Sequence, residues 1–85
     1  MIEHSVISTG CTVGKGAEVI DSVIMPDVVI ENGASIRNAI IAEGCVIRAG
    51  AKIGGDVVNG ERRISVIGKE KEISEGTVIE PGAIV

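Results

Sequence analysis

VIDSVIMPDVVIENGASIRNAIIAEGCVI, residues 19–47, is the stretch that decides how this chain folds. Its large aliphatics stand at Val19, Ile24, Ile30, Ile36, Ile41 and Ile47, spaced five, six, six, five and six residues apart. An amphipathic helix needs apolar residues three and four apart, so the rhythm excludes one. Two positions before each large residue lies a smaller one: Ala17, Ser22, Val28, Ala34, Ala39 and Cys45. Positions i−2 and i of a strand face the same way. Each short strand therefore turns one small and one large side chain inward.

The same pattern extends to both sides. Shifting the chain on itself by 17 residues aligns IEHSVISTGCTVGKGAE (2–18), VIDSVIMPDVVIENGAS (19–35) and IRNAIIAEGCVIRAGAK (36–52). The inward series thus begins at Ile2, Ile7 and Val13 and reaches Ile53, with Ser5, Cys11 and Ala51 among its small partners. Gly16, Gly33 and Gly50 each precede an inward alanine, where a sharp corner calls for a backbone conformation that glycine adopts at low cost. A 17-residue coil with three strand sides has a perimeter of at most roughly 56 Å, which leaves room inside for stacked aliphatics and little else. Successive coils would pair as parallel strands about 4.8 Å apart, stacking ladders such as Ile7–Ile24–Ile41 and Val13–Ile30–Ile47.

Composition points the same way. The chain is 45% hydrophobic yet contains no Phe, Tyr or Trp, and it has 12 glycines. An ordinary core draws much of its buried area from aromatics; this one must be built from Val, Ile and Ala in a narrow interior. Eighty-five residues fit one small domain, 1–85. The net charge of −4 offers no general attraction to nucleic acid or anionic membranes. No apolar run approaches the roughly 18 residues of a membrane span, and no signal-peptide pattern opens the chain. A cytoplasmic setting is expected, with neither nucleic acid nor membrane as partner.

After Ile53-Gly54 the repeat breaks, and Ser65-Val66-Ile67 restores the alignment of Ser5-Val6-Ile7. An inserted loop is therefore expected at about 55–64, and repeat proteins often carry such insertions on a functional face. The tail continues through Ile67, Ile73, Ile79 and Val85. Lys71 occupies a small inward position, so the last coil is either distorted there or lets the lysine snorkel out of an open end.

Little conventional chemistry is available. Cys11 and Cys45 share a ladder two coils apart, at about 9–10 Å, too far for a disulfide. They read as free thiols acting as small hydrophobes. His4 matches Asp21 and Asn38 in the coils below, a series of polar corner residues on the surface. No nucleophile–base constellation or metal site can be assembled. Arg62 and Arg63 in the inserted loop are the most notable charges, because a pair of guanidinium groups can grip phosphate by bidentate hydrogen bonds.

A different signal lies on one outer wall. The outward residues before Ile7, Ile24, Ile41 and Ile67 are Val6, Val23, Ile40 and Val66, and those after are Ser8, Met25, Ala42 and Gly68. Another wall carries Glu18, Ser35 and Lys52 instead. An uncharged apolar stripe on one side marks an interface, with another copy or an attached domain. Val6, Val23, Met25, Ile40 and Val66 are its candidate residues.

The residues 19–47 quoted above, with ISVIG (64–68), resemble the carboxy-terminal domain of bacterial glucose-1-phosphate adenylyltransferase. Asp-Ser-Val-Ile-Met-Pro (21–26) is the most specific part of the resemblance. It implies an all-β fold: a single-stranded left-handed parallel β-helix of about four triangular coils. The hand comes from the resemblance alone, since the general rule for parallel crossovers gives a right-handed connection. It further implies a parent enzyme that makes ADP-glucose and pyrophosphate from ATP and glucose 1-phosphate for glycogen synthesis. In that family ATP and Mg2+ belong to an amino-terminal catalytic domain, which is absent from this chain. The β-helix supplies oligomer contacts, docks on the nucleotidyltransferase domain and helps to bind anionic sugar-phosphate effectors. Arg62 and Arg63 fall in the comparable effector region. With catalysis placed on the other domain, the resemblance implies no cofactor in this chain itself. Two other readings remain open: a small stand-alone hexapeptide acyltransferase, for which His4 is poorly placed, and a purely structural repeat module. A carbonic anhydrase of this fold is excluded, because it needs three metal histidines and the chain has one.

Overall fold

In the computed structural model, which describes residues 1–57 and 59–85, strands of two or three residues wind into successive coils. The first coil holds β1 (Ile2–Glu3), β2 (Val6–Ile7) and β3 (Thr12–Val13), and the second β4 (Glu18–Ile20), β5 (Val23–Ile24) and β6 (Val29–Ile30). The third holds β7 (Ser35–Arg37), β8 (Ala39–Ile41) and β9 (Val46–Ile47). The fourth holds β10 (Lys52–Gly54), β11 (Ser65–Ile67) and β12 (Glu72–Ile73), and β13 (Val78–Ile79) opens a further turn. These strands stack into three parallel sheets, β1-β4-β7-β10-β13, β2-β5-β8-β11 and β3-β6-β9-β12. The sheets are the walls of a prism 34 × 23 × 23 Å in extent, and no helix occurs among the described residues.

The pairing register is the one that the repeat dictates. Ile2 faces Val19, Val19 faces Ile36, and Ile36 faces Ile53, each 17 residues on. Below the third coil the offset rises to 26, with Ser65 on Ala39, Ile73 on Ile47 and Ile79 on Ile53. The nine additional residues fall between β10 and β11. Val58, within the inserted loop, lies outside the described residues.

The ladders fill the bore. Val19, Ile24, Ile30, Ile36, Ile41, Ile47 and Ile67 are fully buried, as are their small partners Ala17, Val28, Ala34, Cys45 and Ala51. Each large side chain removed from water in this way contributes roughly 1.5–3 kcal/mol. Ile7, Cys11 and Val13 of the first coil are only half-buried, because no coil of this chain stacks on their outer side.

Two kinds of corner close each coil. The five-residue corner uses His4, Asp21 and Asn38, all with positive φ of 48–49°. In the first two coils the serine that follows, Ser5 or Ser22, completes the turn, while Ala39 follows Asn38. Ser22 Oγ donates to the Ile20 carbonyl at 2.8 Å and accepts the Ala39 N–H of the next coil at 3.1 Å. Ser5 Oγ does the same with Glu3 and Ser22, at 2.8 and 3.0 Å. These serines are small enough for the bore, and their hydroxyls replace backbone bonds that a tight corner cannot make. The six-residue corners rely mainly on glycine, with Gly16, Gly33 and Gly50 at φ 75°, 72° and 69°.

Two expectations change in detail. The third member of the His4–Asp21–Asn38 series is not a surface residue: Asn38 is only 3% exposed. The inserted segment folds over it, and its Nδ2 donates to the Gly55 carbonyl at 2.7 Å. Lys71 leaves the coil undistorted, since the Val46 N–H still donates to its carbonyl at 2.9 Å. Its side chain is exposed at the end of the bore.

Gly54 is the tightest position in the backbone. Its φ is +73°, and a Cβ there would stand 2.0 Å from the Arg37 carbonyl oxygen. At Gly33 the φ is +72° but nothing lies within 4 Å. Gly33→Ala therefore bears only the left-handed backbone strain, roughly 1 kcal/mol, whereas Gly54→Ala also forces β7 and β10 apart and costs at least about 2 kcal/mol more. Urea midpoints of the two variants should differ in that order.

Candidate interaction surface

The sheet β2-β5-β8-β11 builds a continuous apolar stripe from residues in direct register. Val6 faces Val23, Val23 faces Ile40, and Ile40 faces Val66. These are the alternate, outward positions of strands whose inward residues are the Ile7–Ile24–Ile41–Ile67 ladder. The structure adds one member: Ile84 bridges to Val66 and is 81% exposed. Val6 is 60% exposed, while Met25 and Val23 are close to 40%. Ile40 and Val66, in the middle of the wall, are half-buried by their neighbours.

The other two walls each carry an arginine paired across coils, although the β3-β6-β9-β12 wall also turns Val29 and Val46 outward. On one of them, Arg37 donates from Nη1 to Asp56 at 2.6 Å and from Nη2 to Glu18 at 3.2 Å. Those bonds, to Asp56 first and Glu18 second, hold its pKa above the ordinary value. On the other, Arg48 donates from Nε to Glu72 and from Nη1 to Glu31, both at 2.9 Å, and its pKa is raised by Glu72 and then Glu31. Each arginine thus ties three coils together across a wall. Among the described residues no ion pair joins the strands of the stripe wall; at its edge Lys69 lies 3.5 Å from Glu43 of the coil above. At its margins stand the exposed His4–Asp21 contact of 3.5 Å and a shallow dip lined by Asp27, Glu43, Gly44, Lys69 and Glu70.

Arg62 and Arg63 are both exposed on the inserted loop. Arg63 lines a groove of about 470 Å³ with Asp56, Asn59, Glu61, Glu80 and Pro81. Its Nη2 lies 3.8 Å from Glu61. The groove therefore presents one guanidinium among three carboxylates. The root of the loop is fixed by the Arg37–Asp56 and Asn38–Gly55 hydrogen bonds.

The remaining candidates take up structural places. Both cysteines are free thiols. Cys11 Sγ donates to the Met25 carbonyl at 3.1 Å and Cys45 Sγ to the Gly68 carbonyl at 3.0 Å, the same contact in two coils. The His4 side chain is 83% exposed. Among the described residues no group of three His, Cys, Asp or Glu side chains is placed to hold a metal ion. The residues do not fit Mg2+, and no step through that ion follows for this chain. Among the described residues no helix is long and apolar enough to cross a membrane.

A repeated coil with one inserted loop, six-residue sides and an aliphatic bore finds its counterpart among known families. The family model described as GlmU-like, C-terminal hexapeptide, matches residues 1–74. The chain belongs to that hexapeptide-repeat family. It is a left-handed parallel β-helix of hexapeptide repeats. No solved structure gives a significant match. The family match ends within the fourth coil, beyond both arginines of the inserted loop and before Ile84 of the stripe.

Sequence reading missed Ile84 and the arginine bridges. The bridges do have a signal, because Glu31 and Arg48 stand 17 residues apart, the repeat itself. Opposite charges at that separation meet on adjacent coils.

Proposed function

We propose that this chain is the carboxy-terminal assembly and regulatory β-helix of a sugar-1-phosphate nucleotidyltransferase, of the glucose-1-phosphate adenylyltransferase kind. The observation that carries the reading is the Val6–Val23–Ile40–Val66–Ile84 stripe: a wall apolar along its whole length, where each of the other two carries an arginine–carboxylate bridge. Membership of the GlmU-like hexapeptide family supports it, as does the similarity of residues 19–47 to that enzyme. ATP, Mg2+ and glucose 1-phosphate would bind on a separate catalytic domain. The prism itself would position that domain and join copies of the protein.

The stripe reading is tested first. Val23→Asp with Ile40→Asp places two carboxylates in the middle of the wall, where burial against a partner would leave them unpaired. Self-association of the chain, followed by light scattering, should weaken at least about 100-fold. A wild-type chain that is monomeric at every concentration contradicts the reading. The adenylyltransferase assignment has its own assay: ATP-dependent pyrophosphate release with glucose 1-phosphate by the protein carrying its catalytic domain, and none by residues 1–85 alone.

Arg62 and Arg63 are proposed to contact an anionic sugar-phosphate effector at the seam with the catalytic domain. The three carboxylates of the groove make it a poor anion site by itself, so the docked domain must supply the remaining positive charge. With that domain present, calorimetry with a sugar bisphosphate should show affinity falling roughly 10-fold or more in the Arg62→Ala, Arg63→Ala double variant, each bidentate contact being worth about 1.5–3 kcal/mol. Equal affinities would remove both residues from the effector site.

A further inference from the structure

The chain holds three asparagines and no glutamine, and two of the asparagines, Asn32 and Asn59, are followed by glycine. That pairing is chemically weak. The backbone nitrogen of the residue after an asparagine can attack the side-chain amide carbon, and glycine, which has no Cβ, hinders the approach least. Asn38 precedes Ala39 instead and is only 3% exposed. Its Nδ2 donates to the Gly55 carbonyl at 2.7 Å, and the Ala39 N–H donates to Ser22 Oγ at 3.1 Å.

The fold treats the two Asn-Gly pairs differently. Asn32 and Gly33 lie at a six-residue corner, and both groups that would react are engaged with the coil above. Asn32 Oδ1 accepts the Lys15 N–H at 2.8 Å, and the Gly33 N–H donates to the Lys15 carbonyl at 3.1 Å. From the coil below, the Gly50 N–H donates to the Asn32 carbonyl at 3.1 Å. Asn59 and Gly60 form a turn of the inserted loop, with φ of 54° and 73°. Among the described residues neither the Asn59 amide nor the Gly60 N–H makes a hydrogen bond. The bonds that fix this loop, at Gly55 and Asp56, stand at its root. Exposure does not separate the two pairs, since all four residues are exposed and a Cβ on either glycine would meet nothing within 4 Å. Hydrogen bonding does.

We propose that Asn59 is a site of spontaneous deamidation, a covalent change that makes the groove beside it more acidic. The Gly60 nitrogen bonds to Asn59 Cγ and gives up its proton to water or hydroxide. The Cγ–Nδ2 bond breaks, and that nitrogen takes a proton from water and leaves as ammonia. Water then opens the resulting succinimide ring at either carbonyl, leaving aspartate or isoaspartate. No oxidation or reduction takes place. The groove already holds Asp56, Glu61 and Glu80 with Arg63, and Asn59 is the amide among them. The product adds a fourth carboxylate against one guanidinium, so the charge of the groove changes with the age of the protein. At Asn32 the same reaction must wait for an opening that breaks both bonds to Lys15, which slows it roughly 10-fold or more.

The folded chain, kept in mildly alkaline buffer, is sampled over time by peptide mass spectrometry with quantification of isoaspartate. Asn59 should deamidate with release of ammonia, faster as the pH is raised, while Asn32 and Asn38 stay intact. Gly60→Ala should suppress the reaction at Asn59, with far-UV circular dichroism verifying that the variant folds. In denaturing urea Asn32 and Asn59 should react at similar rates, because each is followed by glycine and the bonds to Lys15 are gone. Two outcomes overturn the proposal: a folded chain in which Asn32 reacts as fast as Asn59, or one in which folding protects Asn59 as strongly as it protects Asn32.

Discussion

Every inward side chain of the second and third coils rests between the same position of the coil above and the coil below. That vertical stacking is the constraint from which the remaining features follow. A bore closed by about 17 residues has no space for an aromatic ring, which accounts for a chain with no Phe, Tyr or Trp. It also explains why the corners are made from glycine, from asparagine or aspartate in the left-handed region, and from serine. Each brings the chain round in few atoms while leaving the next inward residue in line. Where the constraint is tightest, at Gly54, the two coils approach so closely that even a methyl group has no place.

The outer surface is free of this constraint, and there the walls differ. Arg37 and Arg48 each span neighbouring coils with carboxylates on both sides, one on each of two walls. The third wall repeats Val and Ile at the same height in each coil. Outward positions could hold any polar residue without disturbing the bore; another wall turns out Thr12, Val29, Val46 and Glu72, and only the third is aliphatic in every coil, which points to contact with something else. Membership of a GlmU-like hexapeptide family fits a prism of this kind serving as a platform within a larger assembly.

Much of the architecture was legible because its cause is periodic. The spacing of Ile24, Ile30, Ile36 and Ile41 fixes the strand faces, the 17-residue register and the three walls without reference to distant contacts. The non-periodic parts were less so. Ser22 reads as merely small in the sequence, and its hydroxyl bridge between Ile20 and Ala39 emerges only once the corner is closed. Asn38 reads as one of three surface corners until the inserted segment folds over it; it is buried, and its Oδ1 meets no hydrogen-bond partner among the described residues. Ile84 escaped notice because the last turn runs in sixes and slips out of the row alignment. The anion-binding role of Arg62 and Arg63 depends on what faces the groove, where Asp56 and Glu61 of the same loop are joined by Glu80 from the last turn.

The central claim is that a coil is a unit of 17 residues, and excision tests it most directly. Removing residues 19–35 takes out one complete coil and leaves Glu18 joined to Ile36, with the inward alternation intact. Removing residues 19–34 takes out one residue fewer and turns every upstream strand out of register with those below. The first deletion should yield a shorter β-helix that unfolds in one cooperative step with a far-UV spectrum of strand, and the second should not fold. Two deletions that fold equally well, or that fail equally, would contradict the account.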